Sequence, residues 1–112
     1  MNTITDEYVH EMISKTKEYC IVLLKPGPEA AQPGVEKLVW EHGRRNFALG
    51  ADGLLPVVWP VTVEGDLSGF GIFNASIDET KKIMDGDPAV EAGVFVYEVY
   101  PCRSFPGDSL PG

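Results

Sequence analysis

Apolar and polar positions along the chain follow two spacings, one typical of strands and one typical of helices. Residues 19–24 (YCIVLL) are continuously apolar and rich in β-forming types, which predicts a buried central strand. Pro26, Gly27 and Pro28 end that run. Across residues 35–49 the apolar positions recur at helical spacing, which predicts an amphipathic helix with one face toward a sheet.

Two further strands are expected after this helix. Residues 54–63 contain Pro56 and Pro60, and because proline donates no backbone hydrogen bond, this strand must be bulged or lie at an edge. Residues 64–66 (EGD) have the composition of a hairpin turn, and the third strand is expected over residues 67–74. Gly69 and Gly71 fall on one face of that strand, so either something approaches the face closely or the strand bends there.

Capping residues organise the last third of the chain. Residues 76–79 (SIDE) have the spacing of a capping box, which predicts a short helix that ends at Gly86. Asp87 before Pro88 predicts a second helix start with Asp87 as its N-cap. Residues 94–100 (VFVYEVY) carry a single charge, which indicates a largely covered last strand.

The order strand, helix, strand, strand, helix, strand predicts an α+β fold of the ferredoxin-like βαββαβ type with an antiparallel sheet. Right-handed crossovers then place the first and third strands in the middle and the second and fourth at the edges. Helices on one side leave the other face apolar and bare. We therefore expect two copies to pack sheet against sheet as a homodimer.

A short amphipathic helix with Asp6 and Glu7 in its first turn is expected before the first strand. This divides the chain into an N-terminal helical extension (1–18), a ferredoxin-like domain (19–103) and a C-terminal tail (104–112). The length of 112 residues suits one such domain.

The charge balance limits the partners of the protein. Acidic residues outnumber basic ones by 17 to 9, and the net charge of −8 disfavours nucleic acid and anionic lipid surfaces. No stretch approaches the roughly 18 apolar residues of a membrane span, and no signal peptide is recognisable. We therefore expect a cytoplasmic protein in which Cys20 and Cys102 are free thiols.

His42 is the strongest candidate for chemistry. It lies in the middle of the apolar stripe of its helix and should point at the sheet, where an imidazole needs a hydrogen-bond partner. Histidine exchanges protons near neutrality, which suits general acid–base work, although a hydrogen-bonded core histidine gives the same pattern. Asn46, four residues later on the same face, could contact a substrate oxygen or simply satisfy His42.

Other candidates have equally plain structural explanations. Gly69 and Gly71 could make room for a flat ligand or for a side chain of a helix. Trp40 and Phe47 could line a pocket, but aromatic residues are more often part of a core or an interface. Arg103 could fold over a pocket or pack against the domain. Arg44 and Arg45 are expected to be solvated, although either could bind a substrate carboxylate. Only two histidines exist and no His/Cys cluster has ligand spacing, so neither a metal nor another cofactor is expected.

The segment from residue 85 to residue 93 (DGDPAVEAG), together with the strand that follows it, resembles the YCII-related family. His42 in the first helix and residues 53–55 (GLL) at the entry to the second strand fit the same pattern. The resemblance covers roughly residues 19–103. The chain differs from shorter members of the family in having additional residues before position 19 and after position 101.

The resemblance implies a dimeric α/β barrel similar to the muconolactone isomerases, with His42 and Asp87 as a catalytic pair. A family member implicated in removing chloride from chlorinated aromatics points to isomerisation or elimination on a small cyclic or aromatic substrate. Asp87 has a second explanation, since a capping Asp stabilises a helix start by roughly 1 kcal/mol. A non-catalytic dimer that binds a small molecule or serves a structural role is the alternative function.

Overall fold

The computed structural model describes all residues, Met1–Gly112, and has the predicted α+β architecture. The protein contains four helices and four strands, in the order α1 (Asp6–Ser14), β1 (Lys17–Pro26), α2 (Val35–Ala51), β2 (Val57–Pro60), β3 (Gly69–Phe73), α3 (Ile77–Asp85), α4 (Pro88–Glu91) and β4 (Phe95–Ser104). Without α1, this is the ferredoxin-like βαββαβ order, with the second helix divided into α3 and α4.

The four strands form one sheet in the order β2-β3-β1-β4. Every neighbouring pair is antiparallel, and Val22 of β1 lies opposite both Gly71 of β3 and Val99 of β4. The prediction that the first and third strands are central is therefore confirmed. The proline-containing β2 lies at one edge, where a missing N–H donor leaves no gap in a central ladder.

Strands β2 and β3 are shorter than the sequence pattern predicts. β2 ends at Pro60, which lies opposite Gly69 at the start of β3. Ahead of β2, the backbone N–H groups of Leu54 and Leu55 both donate to the carbonyl of Leu49. They cap the end of α2 instead of joining the sheet, since the last carbonyls of a helix need donors from outside it.

The two neighbouring strands β1 and β4 are longer than predicted. They pair from Pro26 opposite Phe95 to Lys17 opposite Ser104, whereas β3 reaches only to the level of Cys20. The last residues of β1 and β4 thus extend past β3 as a two-stranded ribbon. Their polar composition gave no strand signal, and pairing with each other keeps them in the sheet.

One face of the sheet carries the core. Cys20, Val22 and Leu24 alternate along β1 and pack with Leu55, Phe73 and Met84 beneath the helices. The opposite face is apolar and open: side chains of Ile21, Leu23, Ile72, Val96 and Tyr100 share it by alternation, around an ion pair of Lys25 and Glu98 at 3.0 Å. Val96 and Tyr100 are exposed.

Helix α1 begins after Thr5, whose side chain accepts a hydrogen bond from the backbone N–H of Tyr8. None of its residues is buried, and the apolar side chains of Tyr8, Val9 and Ile13 are exposed. Met12 is the one residue of the helix that is partly buried, so packing on its own chain contributes little to the stability of α1. None of the four helices combines the length and the apolar character needed to cross a bilayer.

Candidate functional site

A cavity of about 390 Å³ lies between α2 and the core face of the sheet. Its walls are mostly apolar, and its polar side chains come from His42, Asn46 and Ser68. Strands and helices contribute the remaining walls, which include Val22, Leu24, Leu55, Val58, Gly69, Gly71, Phe73, Met84 and Phe95. A space of this size suits a small ring compound.

His42 is the buried residue of α2 and points at the sheet, as its position in the apolar stripe predicts. Its ring atom Nδ1 lies 2.9 Å from Oδ1 of Asp87, which is 45 positions away in sequence. His42 is 9% exposed and Asp87 only 1%. Such a short, buried contact between ring and carboxylate fixes the orientation of the imidazole.

Asp87 performs its helix-capping role at the same time. Its Oδ2 atom accepts hydrogen bonds from the backbone N–H groups of Ala89 at 3.0 Å and Val90 at 3.2 Å, at the start of α4. The other oxygen, Oδ1, is thereby turned toward His42. Capping and the contact with His42 use different oxygens, so the cap is confirmed and does not exclude a catalytic role, which stays a prediction.

The surroundings of Asp87 favour its ionised form. Burial by itself would raise the pKa of Asp87, but the hydrogen bond and charge of His42 and the two backbone donors outweigh burial. The pKa of Asp87 is consequently lowered from its usual value. A guanidinium nitrogen of Arg45, Nη1, lies 3.8 Å from Oδ1 and adds a positive charge nearby.

Asn46 contacts the second ring nitrogen of His42, Nε2. Its amide nitrogen lies 3.2 Å from Nε2 of His42, one helical turn away on the same face of α2. The ring of Phe95 on β4 packs against the imidazole with centroids 5.0 Å apart and planes tilted by 48°. The predicted interaction between Asn46 and His42 is therefore present.

Gly69 and Gly71 both line the cavity, but the space that their missing side chains leave is used by the protein. A Cβ atom at Gly71 would lie 2.9 Å from Cδ1 of Leu55, and one at Gly69 would lie 2.7 Å from the carbonyl oxygen of Trp59. The two glycines thus let β2 and Leu55 approach β3 closely. Whether a ligand also uses this part of the cavity stays a prediction.

The structure does not bring every candidate to the cavity. Phe47 lies at its edge with 80% of its surface exposed, whereas Trp40, 70% exposed, lies on the outer surface of α2 and does not line it. Arg103 lies on the ribbon of β1 and β4, opposite Glu18, and is exposed. The extension of β4 carries Arg103 past the cavity, so a role for Trp40 or Arg103 there stays a prediction.

Sequence reasoning missed two neighbours of the pair. Arg45 was expected to be solvated, yet it reaches Asp87, while Arg44 is exposed and pairs with Glu41 at 3.2 Å. The available signal was spacing, because Arg45 follows His42 by three positions and shares its side of the helix. Phe95 had no local signal, since only the register of β4 places it beneath His42.

No group of three or more His, Cys, Asp or Glu side chains is placed to hold a metal ion. Cys20 and Cys102 are both free. The polar groups at the cavity are the imidazole of His42, oriented by the carboxylate of Asp87, the amide of Asn46 and the hydroxyl of Ser68.

No family model matches the chain, and no curated protein matches it. Among solved structures, the chain is similar to 5-chloro-2-hydroxyhydroquinone dehydrochlorinase (TftG) from Burkholderia phenoliruptrix AC1100 in complex with 2,5-dihydroxybenzoquinone. The two sequences are 22% identical, the match covers 72% of this chain and 90% of that chain, and the TM-score is 0.49. Similarity at this level assigns no reaction to the chain.

Proposed function

We propose that this chain is a YCII-related enzyme that transfers a proton on a small cyclic or aromatic substrate and needs no cofactor. The observation that carries the proposal is the buried hydrogen bond of 2.9 Å from Asp87 to His42, whose ring lines an apolar cavity. An imidazole oriented by a carboxylate is a common arrangement for a general base.

The two ring nitrogens have different roles in this proposal. Nδ1 is engaged by Asp87, so Nε2 is the atom that accepts the proton from the substrate. The bond to Asp87 then stabilises the imidazolium that forms, because an ionised carboxylate favours a neighbouring positive charge. In an isomerisation, the proton returns to another atom of the substrate. In an elimination, the electron pair of the broken bond to hydrogen expels a leaving group from the adjacent carbon.

The contact between His42 and Asp87, the two residues that the resemblance implies as a catalytic pair, supports membership in the YCII-related family. His42 and Asp87 belong to separate segments of the resemblance, the first helix and the DGDPAVEAG segment. Their contact is what a catalytic role of both residues requires. The apolar walls of the cavity favour an uncharged ring over a polyanionic substrate, since burying charge without partners is costly.

We also propose that the protein is a homodimer. The open face of the sheet presents apolar side chains from β1, β3 and β4, and a second copy packed by twofold symmetry would remove them from water. The ion pair of Lys25 and Glu98 on this face is already formed within one chain, so it adds no unpaired charge.

A cytoplasmic location completes the proposal. Cys20 and Cys102 are both free. Free thiols are the common state of cysteine in a reducing compartment.

A second candidate is a non-catalytic dimer that binds a small molecule or has a structural role. It is favoured by one observation: both ring nitrogens of His42 and both oxygens of Asp87 have partners without any ligand. In this case the pair would only hold α2 against α4.

A thermal-shift screen with small aromatic and lactone compounds separates a ligand-binding cavity from a filled core, because a ligand that binds only the folded state raises the melting temperature. The His42→Ala variant then separates the two functions. An enzyme loses turnover of the compounds that bind while it stays folded. A structural histidine loses a buried hydrogen bond, which lowers the free energy of unfolding by about 1 kcal/mol or more.

The matched control is His10→Ala, which removes an exposed imidazole on α1. It should change neither the melting temperature nor ligand binding. If no compound shifts the melting temperature, and His42→Ala destabilises the protein without any other effect, the catalytic proposal is wrong.

A further inference from the structure

Both ring nitrogens of His42 are occupied in the protein without a ligand. Nδ1 faces Oδ1 of Asp87 at 2.9 Å, and Nε2 faces the amide nitrogen of Asn46 at 3.2 Å. An ionised carboxylate only accepts hydrogen bonds, and an amide NH₂ group only donates them. With the amide nitrogen of Asn46 placed toward the ring, these two partners match a ring that carries its proton on Nδ1 and accepts from Asn46 at the lone pair of Nε2.

This arrangement has a consequence for the proton transfer proposed above. Nε2 is the atom that must accept a proton from a substrate, yet its lone pair already holds a hydrogen bond. The amide of Asn46 must move away from the lone pair, or turn its oxygen toward the ring, before Nε2 can bear a proton. The hydrogen bond of the Asn46 amide is the one from its nitrogen to Nε2, so turning the group breaks that bond alone.

We propose that Asn46 gates Nε2, and that the ligand opens the gate by inserting a hydroxyl group between Nε2 and the amide nitrogen of Asn46. This inference rests on the proposed function of His42 as a base and adds the chemical class of the ligand. A hydroxyl group both donates and accepts. Its hydrogen satisfies Nε2, its oxygen accepts from Asn46, and no polar atom of the pair is left unpaired.

The gate favours phenols and enols over ethers of the same shape. An ether oxygen accepts a hydrogen bond from Asn46 but has no hydrogen to donate to Nε2. Binding of an ether would therefore leave the lone pair of Nε2 without a hydrogen-bond donor. An unsatisfied polar atom in a buried site carries a penalty that an added methyl group cannot offset. The mostly apolar walls of the cavity accept the ring in both cases.

The charged groups around the imidazole act on its other side. Asp87 contacts it from the start of α4, and Arg45 of α2 lies beside Asp87. β4 contributes the uncharged ring of Phe95, and α3 contributes Met84 to the same cavity. The only group in hydrogen-bond contact with Nε2 is the neutral amide of Asn46.

Nitrogen NMR of the histidine ring tests the gate directly. The protein has two histidines, so a His10→Gln background leaves His42 as the only imidazole to be observed. With ¹⁵N-labelled histidine, we expect the neutral ring of His42 to be the Nδ1–H tautomer, with an Nε2 signal typical of a lone pair that accepts a hydrogen bond. Asn46→Leu should move the Nε2 signal toward that of a free lone pair while leaving Nδ1 unchanged.

Phenol and anisole are the ligand probes, since they share a ring and differ by the hydroxyl hydrogen. In the His10→Gln protein, phenol should bind more tightly than anisole by about three- to tenfold, the effect of one net hydrogen bond. Phenol, and not anisole, should shift the Nε2 signal. In Asn46→Leu, phenol still gains one net hydrogen bond, to Nε2, so its binding should change little. Anisole binding should improve, because the ether no longer displaces a donor from Nε2, and the preference for phenol should narrow.

Asn74→Leu is the matched control, because Asn74 is exposed in the turn before α3 and does not line the cavity. Asn46→Ser provides a second variant if Asn46→Leu does not fold. The proposed gating role of Asn46 is wrong if phenol and anisole bind equally or if Asn46→Leu weakens the binding of both alike. It is also wrong if Asn46→Leu leaves the Nε2 signal unchanged. In the first two cases the cavity still binds a ring, so the proposed function survives. If neither probe binds at millimolar concentration, the ligand class is wrong.

Discussion

Oδ1 of Asp87 faces the imidazole of His42 while Oδ2 of the same carboxylate caps helix α4. The start of one helix is therefore tied to the middle of another through a single side chain. Because the cap fixes the carboxylate before any ligand arrives, the imidazole is oriented in the resting protein. Preorganisation of this kind is what a general base needs from its surroundings.

The two roles of Asp87 can be separated by substitution. Asp87→Asn should preserve the cap, since Asn caps as well as Asp. Its amide oxygen would serve the backbone donors and its NH₂ group would face Nδ1, which forces the ring proton onto Nε2. We expect the free energy of unfolding, measured by urea denaturation, to fall by about 1 kcal/mol or less. ¹⁵N NMR should show the ring proton on Nε2, and the variant should be inactive as a base.

Asp87→Ala is the comparison, because it removes the cap and leaves the Nδ1–H group of His42 unpaired. The two losses together amount to about 2 to 4 kcal/mol. Equal destabilisation by Asn and Ala would show that the charge of Asp87, and not its capping geometry, stabilises the fold.

Stability should fall on the acid side because of Asp87. Its pKa is lower in the folded protein than in the unfolded chain, so its contribution is fully present above the unfolded value of about 3.9. The contribution is lost as the pH falls through the folded pKa. Urea denaturation between pH 6 and pH 2 should therefore show a steeper decline for the native sequence than for Asp87→Asn. Parallel declines would contradict the lowered pKa.

Tyr97 should make the fold sensitive to alkali. Burial, the hydrogen bond to Asp85 at 2.7 Å and the charge of Asp85 raise the pKa of Tyr97 to about 12. The neutral phenol stabilises the fold fully below the unfolded pKa of about 10, and this contribution is lost as the pH rises through the folded value. Tyr97→Phe should reduce the loss of stability between these limits by on the order of 1 to 2 kcal/mol after solvent screening.

Tyr8→Phe on the exposed helix α1 is the control for this measurement, since its phenol makes no hydrogen bond within the chain. It should leave the alkaline decline as it is in the native sequence. A decline that Tyr97→Phe does not alter would mean that another group titrates there.

Alanine substitutions should distinguish three glycines at the cavity wall. Gly71→Ala and Gly69→Ala bring a Cβ to within 2.9 Å of Leu55 and 2.7 Å of the backbone of Trp59, so both should destabilise the protein by about 1 to 3 kcal/mol. The change at Gly69 should be the larger, because backbone cannot rotate away. Thermal unfolding measures the difference.

Gly43→Ala should have the opposite effect. A Cβ at Gly43 meets no atom within 4 Å, and alanine is the better residue inside a helix by about 0.5 to 1 kcal/mol. The variant should therefore unfold at a higher temperature than the native protein. A loss of stability would mean that the space above Gly43 is filled in solution.

Val96 tests the proposed homodimer. It lies on the open face of the sheet, opposite Lys25, and is 44% exposed in one chain. Val96→Glu should keep the single chain folded, because the new carboxylate can pair with Lys25, but it would bury charge in a face-to-face dimer. Sedimentation should show a dimer for the native protein and a monomer for the variant. Val63→Glu in an exposed loop is the control and should sediment like the native protein.

Much of the fold could be predicted from local signals. Ser76 and Asp87 accept the predicted capping bonds from backbone N–H groups, although Glu79 contacts the hydroxyl of Ser76 and not its backbone N–H as a capping box would. The strand order follows from chain handedness once the elements are known. Strand ends could not be predicted in the same way. Lys17 and Ser104 join the sheet because they lie opposite each other. Pairing between residues so far apart in sequence produces no local pattern in either segment from which it could be predicted.

The sequence by itself determined that the imidazole of His42 faces inward, because the helical period places it among apolar positions, and that Asp87 caps a helix. Only the tertiary structure decided that the two side chains meet, that Asn46 occupies Nε2 and that Arg45 approaches the carboxylate. These contacts depend on how α2 and α4 settle on the sheet. Their relative positions are set by the packing of many side chains together, and no short segment encodes the distance between two helices.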